Sequence, residues 1–189
     1  MVADALDAAV VEHAAGGARP EVVFEELTAL PRDYTPEAMR DALVGGANVQ
    51  AAAERAGARR YVAQSGCYYY IPGAGLATEQ TSFAVDAPPL VAGRARALLG
   101  IEKRVLGAQS LEGIVLRYAF FYGPGTWYAA DGSVSGQVRR RQFPITGDGG
   151  GVWSFVHIAD AAAATLAAFD AGSGGAYNVA DDEPSPVAV

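Results

Sequence analysis

The residues best placed for chemistry lie together after one apolar run. Ser65 ends the stretch Tyr61-Val62-Ala63-Gln64-Ser65, and Tyr68, Tyr69 and Tyr70 follow it directly. A serine hydroxyl and a phenol each donate and accept hydrogen bonds, so this stretch suits work on a polar small molecule. Other chemistries fail on spacing. A serine hydrolase needs G-x-S-x-G to form its strained turn, and the two glycine positions around Ser65 are Ala63 and Cys67. His13, His157 and Cys67 are too few and too scattered for a zinc site, so no metal is expected. His13 reads as a helix-surface residue and His157 as a hydrogen-bonded structural one. Neither G-x-G-x-x-G nor G-x-x-x-x-G-K-[ST] occurs. The glycine-rich TGDGGGVW at 146–153 runs into a strand-like segment and reads as a turn, not a phosphate cradle at a helix start.

Composition sets the frame for these residues. The chain has 189 residues, 51% of them hydrophobic and 19% charged, which suits a folded domain with a real core and argues against long disorder. A net charge of −7 argues against nucleic-acid partners, which call for a basic surface. The one basic cluster, Arg139-Arg140-Arg141, reads as a solvated helix end or as a clamp for an anion. No apolar run is long enough to cross a membrane. Cys67 is the lone cysteine, so a reducing, cytoplasmic setting is expected.

Elements that must position the tyrosine stretch follow from periodicity and punctuation. Helices are predicted over 3–15 (stopped by Gly16-Gly17), from Thr35-Pro36-Glu37 to Ala56 (with an interruption at Gly45-Gly46), over 91–109, and over the alanine-rich run after Ile158. SVSGQVRRR reads as a short helix. Strands are predicted over 21–30, 59–65, 112–121, FPITG, VWSFVHI and AYNVA. Residues 71–89 form a long loop. Strands alternating with helices imply an α/β fold: a mainly parallel sheet with helices on both faces and a ligand beyond the strands' carboxyl ends.

Four segments in order resemble the NAD-dependent epimerase/dehydratase branch of the short-chain dehydrogenase/reductase superfamily. They are NVQAAAERAGARRYVAQSG, LEGIVLRYAFFYGPG, WSFVHIADAAAATLAAF and GAYNVADDEP. The resemblance implies a doubly wound Rossmann sheet, NAD or NADP as cofactor, and a sugar-like or other polar carbonyl or alcohol substrate. It places Ser65 at the position that hydrogen-bonds the substrate oxygen. It assigns Tyr118, Ala119 and Phe120 to the nicotinamide pocket, Thr28 and Ala29 to the cofactor's border, and Asp4 with Ala5 to the adenine. Substrate-lobe elements are expected within about 71–93 and 123–155.

The sequence departs from the family in two ways. The strand, glycine turn and helix that hold the pyrophosphate are not found before the ADALD stretch, so this single truncated domain is expected to bind a dinucleotide poorly by itself. The family's Y-x-x-x-K is also absent, because the single lysine, Lys103, has Leu99 four residues before it. Arg94 and Leu98 take the tyrosine and lysine positions. A tyrosine with the ordinary pKa of about 10 is a poor acid or base at neutral pH. Tyr69 with Arg94 is the candidate substitute. Tyr68, Tyr70, Trp127 and Tyr128 are candidates for substrate contact, with packing of the loop over the sheet as the alternative for the three clustered tyrosines. Two further readings stay open. One is a non-redox isomerase or cyclase using Ser65, Tyr69, Arg94, Tyr118 and Tyr128. The other is a non-catalytic chain, either a truncated product or a subunit completed by a partner. A homo-oligomer formed through an exposed sheet edge or a helix pair is a further expectation.

Overall fold

The computed structural model describes residues 3–27, 36–145 and 147–186. The expectations for Thr28, Ala29 and the capping Thr35 lie outside them. The elements run α1 (Ala8–Ala18), β1 (Val22–Glu25), α2 (Pro36–Ala56), β2 (Arg60–Gly66), α3 (Pro89–Leu106), β3 (Glu112–Tyr118), β4 (Phe120–Tyr122), α4 (Ser133–Arg139), β5 (Val152–Trp153), β6 (Phe155–His157), α5 (Ile158–Ala167), β7 (Gly175–Val179) and β8 (Ser185–Pro186).

Four strands make one parallel sheet in the order β1-β2-β3-β7. Alternation along β2 and β3 builds a core on each face. Tyr61, Ala63 and Val115 pack against Ala53 of α2 and Ile101 and Val105 of α3. Val62, Ile114, Leu116 and Tyr118 pack on the other face, against Ala161 of α5 and Ala168 just beyond it. This is the expected α/β, Rossmann-like sheet with helices on both faces. Among the described residues β1 has β2 as its one strand partner. No helix of the described residues is long and apolar enough to cross a membrane.

Several boundaries differ from the sequence expectation, each for a local reason. Helix α1 begins at Ala8, because the Asp7 carboxylate caps the N–H groups of Ala9 and Val10. It continues through Gly16-Gly17 and ends at Arg19, which is left-handed and precedes Pro20, a residue that disfavours helical geometry just before it. Helix α2 runs unbroken through Gly45-Gly46. A side chain at Gly46 would collide with the buried Glu25 carboxylate and the Arg104 guanidinium, so the glycine marks close packing, not a break. The strand expected over 112–121 divides at Ala119. The Ala119 N–H still bonds Val179, but the Phe120 N–H turns to Ser154, and β4 pairs with β6 in a separate small sheet. Residues 143–145 of FPITG form no strand, and β5 pairs with β8, an element not foreseen. The tract at 139–141 closes α4, and Arg139 donates to the Ala130 carbonyl. His13 is exposed on α1. His157 caps α5, its Nδ1 accepting the Ala159 N–H at 3.2 Å, which is the structural role expected for it.

Gly113 and Gly100 offer opposite tests of this packing. A methyl at Gly113 would lie 2.1 Å from the Val105 carbonyl oxygen, a backbone atom that cannot swing aside, whereas nothing lies within 4 Å of one at Gly100. Gly113→Ala should therefore destabilise the fold by about 2–3 kcal/mol. Gly100→Ala, inside α3, should stabilise it by up to ~1 kcal/mol. Urea midpoints of the two variants check both signs.

Candidate active site

Strand β2 delivers its chemistry at its carboxyl end, where Gln64, Ser65 and Gly66 lead into the loop that carries the three tyrosines. What holds this end is a buried ion pair. Arg117 of β3 donates from Nε to Glu102 Oε1 at 2.8 Å and from Nη2 to Glu102 Oε2 at 2.6 Å. Both residues are buried. Ser65 Oγ donates to the same carboxylate at 2.7 Å and is 2% exposed. Its hydroxyl proton thus points into the fold.

Arg117 reaches the tyrosine loop with its other arm. Nη1 donates to Tyr70 Oη at 2.8 Å and to the Glu79 carbonyl at 2.9 Å. Tyr70 donates onward to Asn178 Oδ1 of β7 at 2.6 Å, and its ring stacks on Phe83. Burial lowers the guanidinium's affinity for its proton, but the hydrogen bonds to Glu102 and Tyr70 outweigh it and hold Arg117 firmly charged. Burial likewise raises the Tyr70 phenol, against the pull of Arg117. Tyr70 is therefore half-buried and tied to Arg117 and Asn178.

Tyr68 and Tyr69 face the other way, into a cavity of about 570 Å³ at the carboxyl ends of β2 and β3. Tyr69 Oη accepts from Arg94 Nη1 of α3 at 3.2 Å, so the two residues expected to act together do meet. Tyr68 stacks on Phe120, with centroids 4.8 Å apart and planes 14° from parallel, and meets Tyr69 edge-on. The far wall comes from the segment after β4. It includes Trp127, which is half exposed, and Tyr128, whose ring tilts against Phe120 and Phe155. Tyr118, Ala119 and Phe120 also line this cavity. The Tyr118 hydroxyl, however, is paired with Thr165, and burial pushes its pKa up to about 12.

Ser65 lines a second, smaller cavity of about 90 Å³ between α2 and α3, closed by Leu43, Leu98 and Ile101. Gln64, Tyr68, Tyr69 and Arg94 line both spaces. Asp4 and Ala5 line neither. Asp4 caps a turn through the Leu6 N–H, and the Ala5 carbonyl accepts from Asn48 of α2. The sequence reading passed over Gln64 and Phe121 in the cavity wall and the whole Glu102–Arg117 network. One signal for the network was available: a single arginine inside the apolar strand Ile114-Val115-Leu116-Arg117-Tyr118 requires a buried acid.

The rings at the ends of β2 and β3 line one side of the larger cavity. No described strand-to-helix connection forms a glycine-rich turn of the kind that cradles a pyrophosphate. A parallel sheet with this cleft defines the class, and the chain belongs to the NAD dependent epimerase/dehydratase family, whose model matches residues 2–180. NAD is the cofactor of that family. A curated relative, the 3-diazoavenalumate denitrifying reductase of a Streptomyces species, is 44% identical over 196 residues that take in all of this chain and 64% of the relative. The Bordetella bronchiseptica enzyme WbmG, solved in complex with NAD, superposes with a TM-score of 0.75 at 20% identity, over 99% of this chain and 59% of that one. The Thermotoga maritima UDP-glucose 4-epimerase, solved with UDP-glucose, gives 0.74 at 19% identity, over 97% of this chain and 63% of that one. The chain thus spans less than two thirds of the length of each.

Two outcomes follow from the buried network and its neighbour Cys67. Arg117→Leu should cost about 3–5 kcal/mol, because it leaves the Glu102 charge buried without its partner, while Ser65→Ala should cost only about 1 kcal/mol. Thermal melts of both variants measure the gap. Burial raises the Cys67 thiol to about 11, so at pH 8 roughly one molecule in a thousand carries the reactive thiolate. Its alkylation by iodoacetamide should be slow at pH 8 and rise about tenfold per pH unit up to pH 10.

Proposed function

We propose that this chain carries the substrate-side portion of a nicotinamide-dependent reductase, and that its substrate is a planar aromatic compound bearing negative charge. The observation that carries this reading is the wall of the larger cavity: aromatic rings on several sides and, among the described residues, no carboxylate and Arg94 as the charged group. A sugar ring presents hydroxyls that call for carboxylate or amide acceptors, and among the described lining residues Gln64 is the single amide. Flat rings suit stacking on Tyr68, Phe120 and Tyr128. A guanidinium suits an anionic substituent. The relative named a 3-diazoavenalumate reductase supports both the reductive chemistry and an anionic substrate.

When bound, the reduced nicotinamide supplies a hydride to the substrate. In this reading Tyr118, Ala119 and Phe120 border its ring, and Asp4 and Ala5 lie toward the adenine. Tyr69 accepts a hydrogen bond from Arg94, which leaves its own proton for the substrate atom that gains electron density. Phe120 and Tyr128 exclude water from that atom. Ser65 holds the strand end through Glu102 and does not touch the reacting centre. The setting is cytoplasmic. Dinucleotide affinity of this chain by itself is low, since the described residues offer the ring slot without a pyrophosphate cradle.

Calorimetry tests both parts. NADH and NADPH should bind this chain with Kd on the order of 1 mM. Benzoate should bind more tightly than UDP-glucose, and Arg94→Gln should weaken benzoate by about 10-fold or more. Tighter binding of UDP-glucose than of benzoate would overturn the substrate class.

A further inference from the structure

The end of β2 is built around a missing side chain. A Cβ placed on Gly66 would lie 2.5 Å from Cζ of the Tyr68 ring and 2.8 Å from its hydroxyl oxygen. The phenol of Tyr68 therefore folds back over the strand and fills the volume that a side chain at position 66 would take. Once there, it is held flat against Phe120. The ring borders both the aromatic cavity of about 570 Å³ and the apolar one of about 90 Å³ beneath α2 and α3. The remaining shared residues are fixed in other ways: Gln64 belongs to β2, and Tyr69 is hydrogen-bonded to Arg94.

We propose that Tyr68 is the specificity-determining wall of the cleft, and that Gly66 is the residue that lets it stand there. The wall limits how far a flat ligand extends from the aromatic cavity toward Leu43 and Leu98. A one-ring acid is accommodated in front of Tyr68. A two-ring acid whose second ring extends toward Leu43 and Leu98 collides with it. Removing the phenol merges the two spaces into one continuous apolar slot, in which a second ring replaces the tyrosine. Adding a methyl at Gly66 gives the same result from the opposite side, because the ring and the methyl cannot occupy one volume. The two positions thus act as a unit, and their effects should not multiply.

This inference rests on the cleft being the substrate site, and the experiment separates the two. Kd values for benzoate and biphenyl-4-carboxylate are measured on wild type, Tyr68→Ala, Gly66→Ala and the double variant, each shown to be folded by its thermal melt. Tyr68→Leu, which leaves Gly66 untouched, serves as the second wall variant should Gly66→Ala fail to fold. The preference for biphenyl-4-carboxylate over benzoate should rise at least 10-fold in Tyr68→Ala and in the same direction in Tyr68→Leu and Gly66→Ala. The double variant should match Tyr68→Ala within twofold. A wild-type preference in Gly66→Ala, or multiplied effects in the double variant, overturns the proposal. If wild type binds neither acid, the substrate reading fails while the wall is still scored by iodobenzene soaked into crystals. Iodine density between α2 and α3 in Tyr68→Ala and none in wild type supports the wall. Its absence from Tyr68→Ala overturns it.

Discussion

The buried pair between Glu102 and Arg117 is the constraint on which the rest of the site depends. Taking two charges out of water costs several kcal/mol per ion, roughly, and the attraction between them offsets this only where geometry is good and other lone pairs and protons are met. Here they are met. Glu102 accepts two bonds from Arg117 and one from Ser65, and Arg117 gives its remaining arm to Tyr70 and the Glu79 carbonyl. The Arg117 guanidinium also lies 4.9 Å from the Phe83 ring centroid and 5.4 Å from that of Tyr70. The partners sit on β2 (Ser65), on α3 (Glu102) and in the loop between them (Tyr70, Glu79 and Phe83). The ion pair therefore fixes β2, β3, α3 and the tyrosine loop relative to one another, and Asn178 brings β7 into the same set. Moving any of them would expose a charge to a place without water.

The same logic recurs at the far edge of the sheet. Glu25 of β1 is 3% exposed and accepts from Arg104 at 2.7 Å and from Tyr61 at 2.7 Å. Burial, first, and then Glu25 raise the Tyr61 phenol well above its ordinary range, so this tyrosine stays a donor. Both buried acids meet an arginine and a hydroxyl. The two pairs also share α3, which carries Glu102 and Arg104 two residues apart, one toward the core of the sheet and one toward α2 and β1. Helix α3 is thus locked at two points, and Arg94, two turns earlier, inherits a fixed position.

Much of this architecture could be read from the chain, because it follows from periodic burial. β-branched runs made the sheet, and alanine-rich helices with proline starts made its cover. Boundaries were less legible, since they depend on a partner rather than on a residue type. Gly16-Gly17 looks like a stop and is not one, whereas Arg19 before Pro20 is. Gly45-Gly46 looks like an interruption and is instead the contact point with Glu25 and Arg104. The division of the long strand at Ala119 has no local signal, because it is set by Ser154 competing for the Phe120 N–H. At the site, residue types near the strand end marked the stretch that borders the larger cavity, where Tyr69 meets Arg94. They did not say which way each hydroxyl points, and that depends on where charge is buried. Ser65 and Tyr70 look like chemistry in the sequence, yet both face the Glu102–Arg117 network.

That inward demand shapes what is left for a ligand. With Ser65 and Tyr70 serving the buried pair and Tyr118 serving Thr165, the described cleft wall carries the hydroxyls of Tyr69 and Tyr128, with Thr126 beside them. Thr126 in turn donates to the Gly123 carbonyl at 2.8 Å. Hydrogen-bonding capacity is therefore concentrated around Tyr69 and Arg94, while stacking surface is spread over the whole slot. A ligand that draws most of its binding from its faces, with one polar end, matches such a wall better than one that presents hydroxyls all round. The cleft's chemistry is in this sense what remains after the fold has satisfied its own charges.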